Sequence, residues 1–145
     1  MNSDYPNPWD FSNTDTNLAS PNGVFKIEYG ELYEIAMGAP LSGECFMLYG
    51  NERVKLNGLY GGPAIWNDLS TKLVLPVWTE KRSQKIAIVD VENMTISTYK
   101  KAFRVLAIQS FKGSIVTGLD SPIYMPSLLL FDSNKEEIEK TIRLQ

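Results

Sequence analysis

The stretch Lys72–Tyr99, KLVLPVWTEKRSQKIAIVDVENMTISTY, constrains this chain more than any other. Two short apolar runs, Lys72–Trp78 and Lys85–Val91, are separated by the polar Thr79–Gln84, and Met94–Tyr99 follows after Glu92–Asn93. Val, Ile, Thr, Trp and Tyr dominate all three runs. Branched and aromatic side chains suit a pleated, half-buried surface, so the stretch predicts three antiparallel strands. Pro76 lacks the N–H a ladder needs, which predicts an edge strand or a bulge at that point.

The rest of the chain reads the same way. Val24–Tyr29, Leu32–Met37, Cys45–Tyr49 and Arg53–Leu56 precede the central stretch as strand candidates, with Gly38–Gly43 as a loop between the second and third. Phe103–Phe111, Ser114–Leu119 and Ser127–Phe131 follow it. The tail KEEIEKTIRLQ fits either a helical period or a period of two. Residues 1–23 are rich in Asn, Ser, Asp, Thr and Pro without an apolar period, and predict a polar N-terminal arm before a single β domain over 24–145. Gly61-Gly62 lacks the Lys-Ser/Thr of a phosphate loop.

Composition narrows the function classes. The 145 residues include no histidine, which removes the usual general base near neutral pH, the Ser–His and Cys–His pairs and most zinc sites. The one cysteine, Cys45, permits no internal disulfide and fits a reducing compartment. No stretch approaches the ~20 apolar residues of a membrane-spanning helix, and MNSDYPNPWDF has neither the basic residue nor the apolar run of a signal peptide. The expectation is a cytoplasmic protein with no membrane partner.

The net charge of −3 is unevenly distributed. Residues 1–25 carry −3, residues 26–71 carry −3, residues 72–112 carry +5 and the remainder −2. The basic middle has no regularly interleaved aromatics and the whole chain is acidic, which argues against a nucleic-acid partner. Charged residues that keep a sheet edge from pairing account for it as well.

An internal repeat is visible. KIAIVDVENMTIST (85–98) lies over SLLLFDSNKEEIEK (127–140) at an offset of 42, so Ile86 falls on Leu128, Ile88 on Leu130, Asp90 on Asp132 and Ile96 on Ile138. Moving back 40 residues, Lys85–Ile96 falls on Cys45–Leu56. The unit is strand, loop, apolar strand ending at Asp, polar turn and short strand. It resembles the blade of a β-propeller, which implies three blade-like units, 24–60, 61–102 and 103–145, and a strand for the tail. Three units fall short of the usual 4–8 blades. The expected fold is therefore all-β: an antiparallel meander forming either an incomplete propeller-like stack or a β-sandwich. In either form Ile86, Ile88, Leu128 and Leu130 are expected to share one core, and strand order is expected to follow sequence order.

Candidate chemistry is sparse. Asp68, Glu80, Asp90, Glu92, Asp120 and Asp132 could supply a carboxylate pair, but Asp at strand ends ordinarily bonds nearby backbone. Cys45 sits in an apolar run and reads as a small buried side chain. No Asp-x-Asp-x-Asp-Gly calcium loop occurs, and no cofactor is expected. The profile of a small, acidic, His-free β protein resembles the immunity proteins of bacterial toxin–immunity pairs. That resemblance implies a non-enzymatic inhibitor whose protein partner is a cognate toxin, possibly a basic nuclease, met by acidic surface. The candidate contact residues are Asp4, Tyr5, Trp9, Asp10 and Phe11 on the arm, with Glu80, Asp120 and Asp132 at strand ends. The competing reading of the arm has its rings folded back to plug the rim of the core. The alternatives in other classes are a carboxylate-based enzyme or small-ligand domain, and a scaffold subunit that oligomerises.

Overall fold

A computed structural model describes residues 6–144: twelve strands, one 3-10 turn at Thr16–Leu18, and no α-helix among those residues. The strands are β1 (Phe25–Tyr29), β2 (Tyr33–Glu34), β3 (Leu41–Tyr49), β4 (Glu52–Tyr60), β5 (Ile65–Trp66) and β6 (Lys72–Trp78). Then come β7 (Gln84–Asp90), β8 (Thr95–Phe103), β9 (Leu106–Lys112), β10 (Ile115–Asp120), β11 (Ser127–Asp132) and β12 (Ile138–Arg143). The fold is all-β and antiparallel. The larger sheet runs β1-β3-β4-β6-β7-β8-β12, with β2 on β3 and β5 on β6, and the smaller runs β11-β10-β9.

The central stretch forms the hub of the molecule. β6 and β7 pair from Lys72↔Asp90 to Trp78↔Gln84, closed by a Thr79–Ser83 turn in which the two hydroxyls lie 2.7 Å apart. Both faces of this hairpin are covered. Leu73, Leu75, Ala87 and Val89 face a first core, while Val74, Ile86 and Ile88 face a second one against the smaller sheet. Two-sided burial is why these strands read as continuous apolar runs rather than as alternation. Gln84, fully buried, links the sheets by accepting the Leu106 N–H at 2.6 Å.

Pro76 is not on an edge strand, since β6 has neighbours on both sides. Its carbonyl accepts from Gly61 at 3.0 Å, and its nitrogen points the same way. That side is the gap between the Tyr60↔Val77 bridge and the Ile65↔Val74 pair, where no ladder donor is required.

The larger sheet is sharply bent. The Tyr29 hydroxyl on β1 donates to Gly61 at 2.8 Å, and Phe25 stacks on Trp66 of β5 at 6.1 Å, across β3 and β4. Residues 6–23 fill this bend instead of forming an arm. Phe11 and Leu18 belong to the first core, the Asn13 amide clamps both backbone groups of Tyr29 at 2.7 and 2.8 Å, and Ser20 N–H bonds Phe25 at 2.8 Å. The lead-in thus supplies the hydrogen bonds that the β1 edge would otherwise lack.

Four further expectations differ from the structure. Strand order departs from sequence order at the end, because β12 leaves the smaller sheet and pairs with β8. Unit 103–145 is therefore split, and the blade-like units make two sheets rather than three. Leu128 and Leu130 point outward, while Leu129 and Phe131 enter the second core, where Phe131 meets Tyr99 edge-on at 5.0 Å. Finally, Phe103–Phe111 is two strands. The chain turns at Arg104–Val105, whose N–H groups both donate to the Asp120 carboxylate at 3.0 and 3.2 Å.

Candidate functional site

The residues marked by the sequence do not form one cluster. Asp4 and Tyr5 lie outside the described residues. Phe11 is 3% exposed, its ring 5.0 Å from that of Tyr29, so it is a core residue and not a partner anchor. Trp9 is half-buried, its indole N–H donating to Gly38 at 3.0 Å, and Asp10 beside it is exposed. Glu80 is exposed in the β6–β7 turn.

Asp120 and Asp132 hold turns. Asp132 accepts from the Asn134 N–H at 3.0 Å and the Ser114 hydroxyl at 2.9 Å. These two bonds, the backbone one foremost, hold its carboxyl below the usual range. Asp90, its counterpart in the repeat, accepts from the N–H groups of Glu92 and Asn93 in the same manner. The repeated Asp is thus a turn device at both sites. Among the described residues no hydrogen bond or ion pair joins Trp9, Glu80, Asp120 and Asp132 to one another, and no cluster of three or more acids or cysteines could hold a metal ion. Cys45 is fully buried and burial pushes its thiol well above the ordinary range, as suits a packing residue.

The strongest surface feature is one that sequence reasoning missed. β11 is the edge of the smaller sheet, paired with β10 alone among the described residues. On its outer face Leu128 is 88% and Leu130 76% exposed, and in the loop before it Ile123, Tyr124 and Met125 are 64%, 73% and 88% exposed. Five exposed large apolar side chains within eight residues are the kind of surface that marks an interaction site. Ser121 and Met125, at either end of the loop, have φ of 54° and 51°, a left-handed conformation that costs a non-glycine residue about 1 kcal/mol. Pro122 and Pro126 stiffen the loop further, which reduces the entropy lost when the tip is covered.

Trp9 meets this surface. A pocket of about 440 Å³ is lined by Pro8, Trp9, Pro63, Leu119, Pro122 and Ile123 among others, so the lead-in and the β10–β11 loop both contribute to it. The site is therefore composite: an unpaired strand edge, a stiff apolar loop and an aromatic-walled pocket. One signal for it was present in the sequence. Ser121–Phe131, SPIYMPSLLLF, carries no charge at all, and uncharged edge strands are what proteins ordinarily avoid. No helix among the described residues is long and apolar enough to cross a membrane. No protein-family model, curated protein or solved structure matches the chain.

Proposed function

We propose that this protein acts by binding another protein, through the outer face of β11, the loop 121–126 and the pocket beside Trp9. The observation that carries the reading is the exposure of Leu128 and Leu130 on an edge strand and of Ile123, Tyr124 and Met125 in the loop before it, all within eight residues. A partner strand added to that edge gains main-chain hydrogen bonds, and side chains over the leucines and in the pocket supply selectivity. The finer proposal is an inhibitor of the immunity-protein kind, working in the cytoplasm on a cognate toxin. It is supported by the acidic balance, the lack of histidine and the single buried cysteine. The contact it uses is apolar at the centre, with the aromatic Trp9 in place of Phe11 as an anchor.

The test is a two-variant reconstitution. Proteins retained from the source cells by the tagged wild type are purified and titrated against wild type and against Leu128→Lys/Leu130→Lys. The expected result is a stoichiometric complex with wild type and a Kd at least 100-fold weaker with the variant. The variant's melting temperature should be unchanged, because both side chains are exposed. If the partner is a toxin, co-expression of wild type and not of the variant restores growth. Equal affinity for both proteins contradicts the assignment.

A further inference from the structure

The larger sheet carries a groove of about 660 Å³ on the face it turns to the first core. The alternation that puts Leu73, Leu75, Ala87, Val89 and Ile96 in that core continues along the same strands to Val77, Lys85, Thr98 and Lys100, which line the groove. Its apolar lining is Tyr60, Val77, Ile96 and Ile142, of which Val77 and Ile142 are only partly buried. Its walls hold Lys81, Lys85, Lys100 and Lys140 against two acids, Glu80 and Glu139. In a chain of net charge −3, this is a local excess of positive charge.

The four lysines come from four separate places: the β6–β7 turn, β7, β8 and β12. The pairing of β6, β7 and β8 brings three of them together, and the pairing of β12 with β8 adds Lys140 with Glu139 and Ile142. Lysines at the open end of a core can simply solvate it. Here, however, three of them act on one point. Lys85, whose side chain is 20% exposed, bonds Glu139 at 2.9 Å. The Glu139 carboxyl is held below the usual range by that bond first, and also by the charges of Lys85, Lys140 and Lys100. Glu139 thus marks a place where the groove stabilises an anion. Two carboxylates do not balance the four lysines of the walls. Lys81 and Lys140 form no ion pair among the described residues, and Lys100 reaches only the exposed Glu137 at 3.5 Å.

We propose that this groove binds a small organic anion with an apolar body, the phosphomonoester of a planar ring being the class that fits both apolar lining and walls. The ring lies on Val77 and Ile142, the partly exposed apolar residues of the groove, and the phosphate oxygens meet Lys100, Lys140 and Lys81. A volume of this size is ordinary for a small-molecule site with a few converging polar groups. The site is separate from the β11 surface and does not rest on the protein-binding reading.

The experiment is an amide NMR titration of the whole protein at low ionic strength with phenyl phosphate, set against its two halves, inorganic phosphate and phenol. The expected result is saturable shifts at Ser83, Thr98, Lys100 and Lys140, with phenyl phosphate at least tenfold tighter than either half. Raising salt to about 0.3 M should weaken it, since the lysines are solvent-screened. Lys100→Gln/Lys140→Gln, both exposed positions, should raise its Kd at least tenfold while leaving the melting temperature in place. No shift at these residues, or phenol binding as tightly as phenyl phosphate, overturns the proposal. So does an affinity the double variant does not change.

Discussion

Replacing Phe11 with alanine separates the two physical pictures of the N-terminal segment. As an exposed anchor, the ring would contribute nothing to folding. As found, it is 3% exposed in the first core, against Tyr29 and over the backbone of Gly62, where a Cβ would come within 2.9 Å of the ring. Returning such a ring to water costs about 2–3 kcal/mol, and the cavity left between Tyr29 and Gly62 adds to it, for about 3–5 kcal/mol in all. Urea melts followed by tryptophan fluorescence measure this directly, and an unchanged m-value confirms the same unfolding transition. Gly62→Ala tests the contact from the other side. Alone it overpacks the site by about 1–3 kcal/mol, and beside Phe11→Ala most of that cost should vanish. Deleting residues 1–12 should lower stability at least as much as Phe11→Ala, because Leu41 also loses its bond to the Pro8 carbonyl. A loss below about 1 kcal/mol for Phe11→Ala, with additive Gly62→Ala, would refute the packing argument.

Other perturbations follow from the same geometry. Ile88→Ala removes a side chain 5% exposed in the second core and should cost about 2–5 kcal/mol; a loss under about 0.5 kcal/mol in urea melts would put that face of β7 on the surface. Gly118 lies where the β9–β10 register shifts, and a Cβ there would overlap the Ala107 carbonyl oxygen, so Gly118→Ala should cost about 3 kcal/mol or prevent folding. A wild-type melting temperature would contradict the bulge. Asp132 has a depressed folded pKa, so its stabilisation is complete above the ordinary carboxylate value near 4 and drains away as pH falls through the lower folded value. The stability gap between wild type and Asp132→Ala should accordingly narrow on acidification below about pH 4; a gap independent of pH would mean the turn bonds do not depend on the carboxylate's charge.

Much of the fold was legible because its signals are local. β6 was bounded correctly at Lys72–Trp78, and β7, β8, β10 and β11 fell within a few residues, since branched apolar runs and polar turns mark them directly. The repeat also carried real information: Asp90 and Asp132 hold matching turns. It failed on facing. β7 is buried on both sides, so laying Ile86 and Ile88 over Leu128 and Leu130 transferred no inside-outside parity. In LLLF, four consecutive apolar residues leave the choice to packing, and the larger Phe131 takes the place against Tyr99. The β12 crossover was illegible for a related reason, because its partner is set by long-range contacts such as Lys85–Glu139 and the Ser97–Thr141 hydroxyl pair. Gly38–Gly43 read as a loop, yet β3 begins at Leu41, and Gly43 is needed where the Glu31 carbonyl comes within 2.8 Å of a Cβ position. Of the candidate site, Trp9 was visible as an aromatic in a polar context. The apolar face of β11 was hidden by the expectation, carried over from Ile86 and Ile88, that Leu128 and Leu130 face the core.

Hydrogen exchange of the reconstituted complex shows whether the β11 edge and its loop form the proposed contact surface. Amides of the loop 121–126, and those of β11 that point away from β10, have no ladder partner among the described residues and should exchange quickly in the protein alone. On binding, protection should rise most over 121–132, with a second increase around Trp9 across the pocket, and Leu128→Lys/Leu130→Lys should abolish both. A footprint elsewhere, with exchange over 121–132 unchanged in a stoichiometric complex, would contradict the account.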